Sequence, residues 1–104
     1  MTRRILKRAS AERDIEESFV YIGEDNVEAA LAFLEAVEET LRILSKNPFI
    51  GSTREFDDPR TKGLRMWPIH GFDNYEIFYI VEEEVEIIRV LHSARDLPRI
   101  FGKK

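Results

Sequence analysis

Cutting a phosphodiester through an adjacent hydroxyl requires a base for the hydroxyl proton, an acid for the leaving oxygen, and cations for the charged phosphorane. The residues of this chain nearest to that set are Arg65, Arg89, His92 and Arg95. Arg65 and Arg89 interrupt apolar runs, and a charge inside a strand either faces solvent or pairs with a carboxylate. With Arg95 they could form an anion site; the competing assignment is ion pairing to Glu76 or Asp96. Residue type does not choose, because arginine both binds phosphate and builds structure. His92 closes the last apolar run, where its plainer role is a hydrogen bond at a strand end that orders the tail. His70, the other histidine, sits in Pro68-Ile69-His70-Gly71, which reads as an exposed turn.

Tyr75 and Tyr79 alternate onto one face with Ile77. They could stack nucleotide bases, but an aromatic stripe at strand spacing reads as core. Trp67, the one tryptophan, shares a face with Arg65, and a partly exposed tryptophan marks an interface. The tail Leu97, Arg99, Ile100 and Phe101 is hydrophobic and basic and offers no proton donor for a leaving 5′-oxygen. Trp67, Arg95, Leu97, Arg99, Ile100 and Phe101 are therefore candidates for contacting a protein target. No metal site is expected: Asp57-Asp58 lacks a histidine partner, and Glu82-Glu83-Glu84 reads as a solvated turn that discourages edge pairing. With no GxGxxG, P-loop or serine-hydrolase pattern, no cofactor is expected either, and catalysis is not favoured.

The elements that must position these groups follow from periodicity. Residues 4–8 suit a short strand. Ser10 is placed as an N-cap, and Ala11, Ile15, Ser18, Phe19 and Ile22 recur at helical spacing, giving a helix over 11–23 stopped by Gly23. Asp25 with Glu28 resembles a capping box that restarts a second helix over 26–46. Its stripe is Val27, Ala30, Leu34, Val37, Leu41 and Leu44, and Asn47-Pro48 ends it. A polar loop over 47–62 follows, then strands at 63–69, 74–81 and 84–92, with turns at 71–73 and 82–83. In the last strand, Val85, Ile87 and Leu91 fall on one face and Ile88 and Val90 on the other. The tail forms a helical turn before Pro98 and then frays. The expected fold is α+β, in the order β-α-α-β-β-β, with an α-hairpin on one face of a twisted antiparallel sheet whose other face is shallow, partly polar and open. Phe19, Ile22, Leu34, Leu41, Tyr79 and Ile87 are expected to be buried.

At 104 residues the chain fits a single domain, 1–104, and with 43% hydrophobic residues it can bury a core without staples. The absence of cysteine excludes disulfides and thiolate metal sites and favours the cytoplasm. The basic start MTRRILKRAS lacks the apolar stretch of a signal peptide, and no run is long enough to span a bilayer, so no membrane partner is expected. The net charge of −4 argues against a dedicated nucleic-acid binder. It is unevenly spread: residues 10–46 hold ten acids and three bases, whereas residues 1–9 hold four bases and no acid.

In their order, four pieces carry a resemblance: ERDIEESFVYI, LRILSKNPFIG, GLRMWPIHGFDNYEIFYIV and VEIIRVLHSARDLPRIF. Together, over nearly the whole chain, they resemble the ParE/RelE toxin superfamily: a leucine-rich helix closing on Asn-Pro, an arginine-bearing strand, a tyrosine-rich central strand, and a His-x-x-Arg-Asp exit. The resemblance implies a toxin neutralised by a cognate antitoxin in a hetero-oligomer. It allows two mechanisms. ParE-like members poison DNA gyrase; RelE-like members cut mRNA in the ribosome, here through Arg65, Arg89, His92 and Arg95. The sparse bases over 47–81 and the lack of a late catalytic tyrosine or histidine favour the ParE-like branch.

Overall fold

The computed structural model describes residues 2–94 and 97–102. The elements are β1 (Ile5–Lys7), α1 (Ala9–Asp25), α2 (Val27–Lys46), β2 (Ser52–Thr53), a 3-10 turn at Pro59–Thr61, β3 (Arg65–Ile69), β4 (Phe72–Val81), β5 (Val85–His92) and α3 (Leu97–Phe101). One five-stranded sheet runs β1-β5-β4-β3-β2. The fold is α+β as expected, but the sheet is mixed: β1 lies parallel to β5, while the other pairings are antiparallel. The parallel pair arises because both helices intervene before the chain returns, and only a crossover of that length brings parallel strands side by side. The two-residue edge strand β2 lies inside the stretch expected to be only loop.

The helix boundaries differ from the sequence pattern for local reasons. Arg8 stands at the N-cap position, so Ser10 is already helical and its hydroxyl turns to the sheet instead. Gly23 does not stop α1; it lies inside the helix opposite Ala30. Asn26 is the shared punctuation. Its backbone N–H donates to the Ile22 carbonyl at 3.0 Å, and its side chain accepts from the Ala29 N–H at 3.0 Å. The capping residue is thus Asn26 and not Asp25, as suits asparagine at an N-cap.

The helices pack on one sheet face, over a core of Ala11, Phe33, Val37, Leu41, Leu44, Tyr75, Ile77, Tyr79, Val85, Ile87 and Val90. The buried stripe of α2 is Ala30, Phe33, Val37, Thr40, Leu41 and Leu44. Leu34 is only half-buried and Val27 is exposed. The larger ring takes the deep position, where Phe72 and Tyr75 meet Phe33 edge-on at 5.4 and 5.0 Å. Phe19 and Ile22 are half-buried too, whereas Leu41, Tyr79 and Ile87 are fully in the core as expected.

The other sheet face is not open. Leu64, Phe78, Leu91 and Phe101 form a second buried cluster, backed by Phe56, Met66, Ile80, Ile88, Leu97 and Ile100. The tail therefore does not fray after Pro98; α3 folds back over the sheet, and Phe101 packs on Phe56 and Phe78 at 5.2 and 5.1 Å. A bulge explains the faces of β5. Phe78 pairs with Arg89 but Tyr79 with Ile87, which leaves Ile88 as an extra residue. Beyond it the alternation inverts, so Val90 joins the helix-side core and Leu91 the far cluster, opposite to strict period two. The β3–β4 turn is His70-Gly71, with Gly71 at φ +82°, and comes earlier than the expected 71–73.

Candidate functional site

The bulge in β5 disturbs the ladder around Ile88, and helix α1 supplies side-chain partners there. Ser10 donates its hydroxyl to the Ile88 carbonyl at 2.8 Å. One turn further on, Asp14 accepts from the Val90 N–H at 3.0 Å. The same carboxylate accepts two bonds from Arg89, 2.7 Å from Nε and 2.9 Å from Nη2. Asp14 is 5% exposed, so this pair is taken largely out of water. The carboxylate raises the Arg89 guanidinium above its ordinary value, against the effect of burial. Among the described residues Arg89 thus pairs with Asp14 and not with Glu76; Arg95 and Asp96 lie outside the described residues. Asp14 is absent from the candidates read from the sequence; a carboxylate on the apolar stripe of the first helix, among Ala11, Ile15 and Ser18, is the signal that could have found it.

Beside that pair lies a cleft of about 450 Å³, lined by Asp14, Glu17, Ser18, Tyr21, Tyr75 and His92 among others. His92 ends β5, and its ring meets Tyr75 edge-on at 5.0 Å. Its Nδ1 accepts from the Ala94 N–H at 3.0 Å, which holds the chain leaving the strand. Among the described residues, the charged groups lining the cleft are carboxylates, the wrong sign for a phosphate.

Arg65 lies two strands from Arg89 and serves a different purpose. Its Nη1 donates to the Phe49 and Gly51 carbonyls at 3.2 and 2.8 Å. The Gly51 N–H donates to the Tyr79 hydroxyl at 2.9 Å. This turn has room only for glycine: a Cβ on Gly51 would lie 2.5 Å from the Tyr79 hydroxyl and 2.8 Å from the Met66 carbonyl oxygen. Trp67 is half-buried against the helix-side core. His70 is exposed, and its backbone N–H donates to the buried Thr40 hydroxyl at 3.1 Å. Arg65 is therefore set apart from Arg89 and His92, which lie near one cleft, Arg89 through its pair with Asp14. Of the tail candidates, Arg99 is exposed, Leu97 and Ile100 are half-buried, and Phe101 is in the second core. Among the described residues no cluster of three or more histidines or carboxylates could hold a metal ion, and no helix is long and apolar enough to cross a membrane.

Burial pushes the hydroxyls of both Tyr75 and Tyr79 above the ordinary phenol value. For Tyr79, the Gly51 N–H and nearby Arg65 oppose that rise. In the unfolded chain both ionise near about pH 10. Folded, they hold their protons longer, so stability is expected to fall as pH rises from about 10 through the raised folded values. Phenolate absorbance and denaturant midpoints taken together check this; a midpoint unchanged across that window would contradict it.

Comparison with known proteins agrees with the fold. The family model described as ParE toxin of type II toxin–antitoxin system, parDE, matches residues 5–97. A chain from the structure titled chromosomal ParDE TA system from P. aeruginosa superposes with a TM-score of 0.68 at 18% identity, covering 88% of this chain and 96% of that one. At that identity the likeness speaks to the fold alone. No curated protein matches the sequence. The family match over the β1-to-α3 span places the chain plainly: it belongs to the ParE toxin family of type II toxin–antitoxin systems.

Proposed function

We propose that this protein arrests growth in the cytoplasm by binding DNA gyrase, and that a cognate antitoxin neutralises it in a toxin–antitoxin complex. The observation that supports a binding mechanism over RNA cleavage is the engagement of the groups that would do the chemistry. Arg89 is held by Asp14, Arg65 supports the 49–51 turn, and Nδ1 of His92 accepts from the chain it orders. General acid–base help is worth about 10²–10⁴-fold, and of these groups only Nε2 of His92 is left to supply it. The related RelE family cuts ribosome-bound mRNA, which makes it the comparison to exclude.

The test sets the purified chain against gyrase supercoiling and against mRNA on ribosomes. Supercoiling should fall with added protein, and primer extension should show no codon-spaced cuts. Truncation after Asp96 is a poor variant, because it removes Phe101 from the core. Arg99→Glu alters an exposed tail position instead, and should weaken gyrase inhibition while the fold persists. His92→Ala should leave inhibition within a few-fold of the parent. Codon-spaced cuts abolished by His92→Ala would overturn the proposal.

A further inference from the structure

Ion pairs take up Arg4, Lys7, Arg8, Arg42, Arg60 and Arg89. Among the described residues, Arg3 and Arg65 belong to none of them; nor do Arg13, Lys46, Arg54, Lys62 and Arg99, but Arg3 and Arg65 differ in converging on one place. Both lie over one ring instead: the guanidinium carbons are 5.6 Å (Arg3) and 5.1 Å (Arg65) from the centroid of Phe49. Phe49 is 58% exposed and its neighbour Ile50 is 42% exposed. The cluster is held firmly. Arg65 is anchored by the carbonyls of Phe49 and Gly51, and Arg3 donates from Nη1 to the Glu82 carbonyl at 2.5 Å. The Arg3 backbone is tied on both sides to Ser45, its N–H donating to the Ser45 carbonyl at 2.8 Å and its own carbonyl accepting from the Ser45 hydroxyl. Carbonyls orient a guanidinium but do not neutralise it, and in each arginine only Nη1 is engaged in these bonds, leaving donors of the fork unclaimed.

We propose that Arg3, Phe49 and Arg65 form a docking site for a partner peptide in which an acidic side chain stands beside an aliphatic one. The carboxylate supplies the missing counter-charge and can take paired bonds from a guanidinium fork. The aliphatic neighbour covers the free edge of Phe49 and Ile50, the exposed apolar centre of the cluster. Charge complementarity favours a peptide over a nucleic-acid strand. Two cations neutralise little of a polyphosphate, and the helical hairpin behind them carries a local excess of seven negative charges over residues 10–46, ten acids against three bases. The guanidiniums also occupy the ring on which a base would stack. The site is independent of gyrase: failure of either proposal leaves the other standing.

The experiment is an NMR titration of the full chain that follows arginine Nε–H and backbone signals. The probes are acetyl-Leu-Glu-Leu-amide, its Gln counterpart, and a short oligouridylate. With the Glu peptide, the Arg3 and Arg65 Nε–H signals should shift saturably, while Arg89, held by Asp14, stays fixed. The Gln peptide should bind at least about tenfold more weakly, a difference of about 1.4 kcal/mol. Arg3→Gln and Phe49→Ala should each weaken the Glu peptide by about tenfold or more. Neither change touches the buried core; if Arg3→Gln disturbs signals beyond its neighbours, Phe49→Ala decides. Equal binding of the Glu and Gln peptides, tighter binding of the oligouridylate, or shifts confined to another face would overturn the proposal.

Discussion

Asp14→Ala should destabilise the protein by roughly 3–5 kcal/mol, the cost of breaking a buried ion pair from one side. Three bonds are lost together, two from Arg89 and one from the Val90 N–H. What remains is worse than a missing contact: Arg89 is left with 24% of its side chain exposed and, among the described residues, only the weaker influence of Glu17 as counter-charge. The Val90 N–H is left inside the sheet without its acceptor, a further penalty for an unsatisfied buried donor. Since domains of this size are stable by only about 5–15 kcal/mol, the variant should be close to unfolding at ambient temperature. Chemical denaturation of the parent, Asp14→Ala, Arg89→Met and the double variant measures it. The double variant should be clearly more stable than Asp14→Ala alone, because it removes the orphaned charge. A double variant no better than Asp14→Ala would show that the ion pair is not the source of the loss.

Phe33→Ala should cost roughly 3–5 kcal/mol, whereas Leu34→Ala, one residue along, should cost about 1 kcal/mol. The pair isolates burial from residue type. Phe33 is fully buried, and its ring meets both Phe72 and Tyr75 edge-on. Removing it opens a cavity among groups fixed by the β4 ladder, which cannot collapse to fill the space. Leu34 is half-buried at the edge of the same core, so solvent can enter where its side chain was. Midpoint shifts from denaturant unfolding should rank the two by a wide margin. Equal shifts would mean that α2 presents a different face to the sheet.

Much of the architecture was legible because it repeats. The two helices and the three long strands announce themselves by apolar spacing, and their ends fall within a few residues of the expected ones. What escaped depends on single residues acting across distance. The bulge at Ile88 leaves no mark in EVEIIRVLH, where apolar residues stand on both sides of the slip; its consequence was the exchanged faces of Val90 and Leu91. The parallel pairing of β1 is decided by where the crossover returns, and no feature of ILK encodes it. Closure of the second sheet face needs Phe56, Leu64 and Phe101, which are scattered along the chain and carry no periodicity. At the site, Asp14 went unremarked, although a carboxylate on an apolar stripe is a signal, because its partner Arg89 is 75 residues away. Arg65 was recognised as unusual; its role in holding the 49–51 turn depended on a loop whose path the sequence does not reveal.

The joining of β1 to β5 has a consequence for the order of events at synthesis. Residues 5–7 pair with residues 85–87, and the Asp14–Arg89 bonds span a similar stretch. Contacts of such separation close only after the intervening loop entropy has been overcome, so they form late. On the ribosome they cannot form until β5 itself has emerged, well after both helices. The helical hairpin, made of local contacts, can assemble on the emerging chain, but the completed sheet must wait for β5. A surface that requires β5 beneath α1 therefore comes into being only after the last strand has been made and paired.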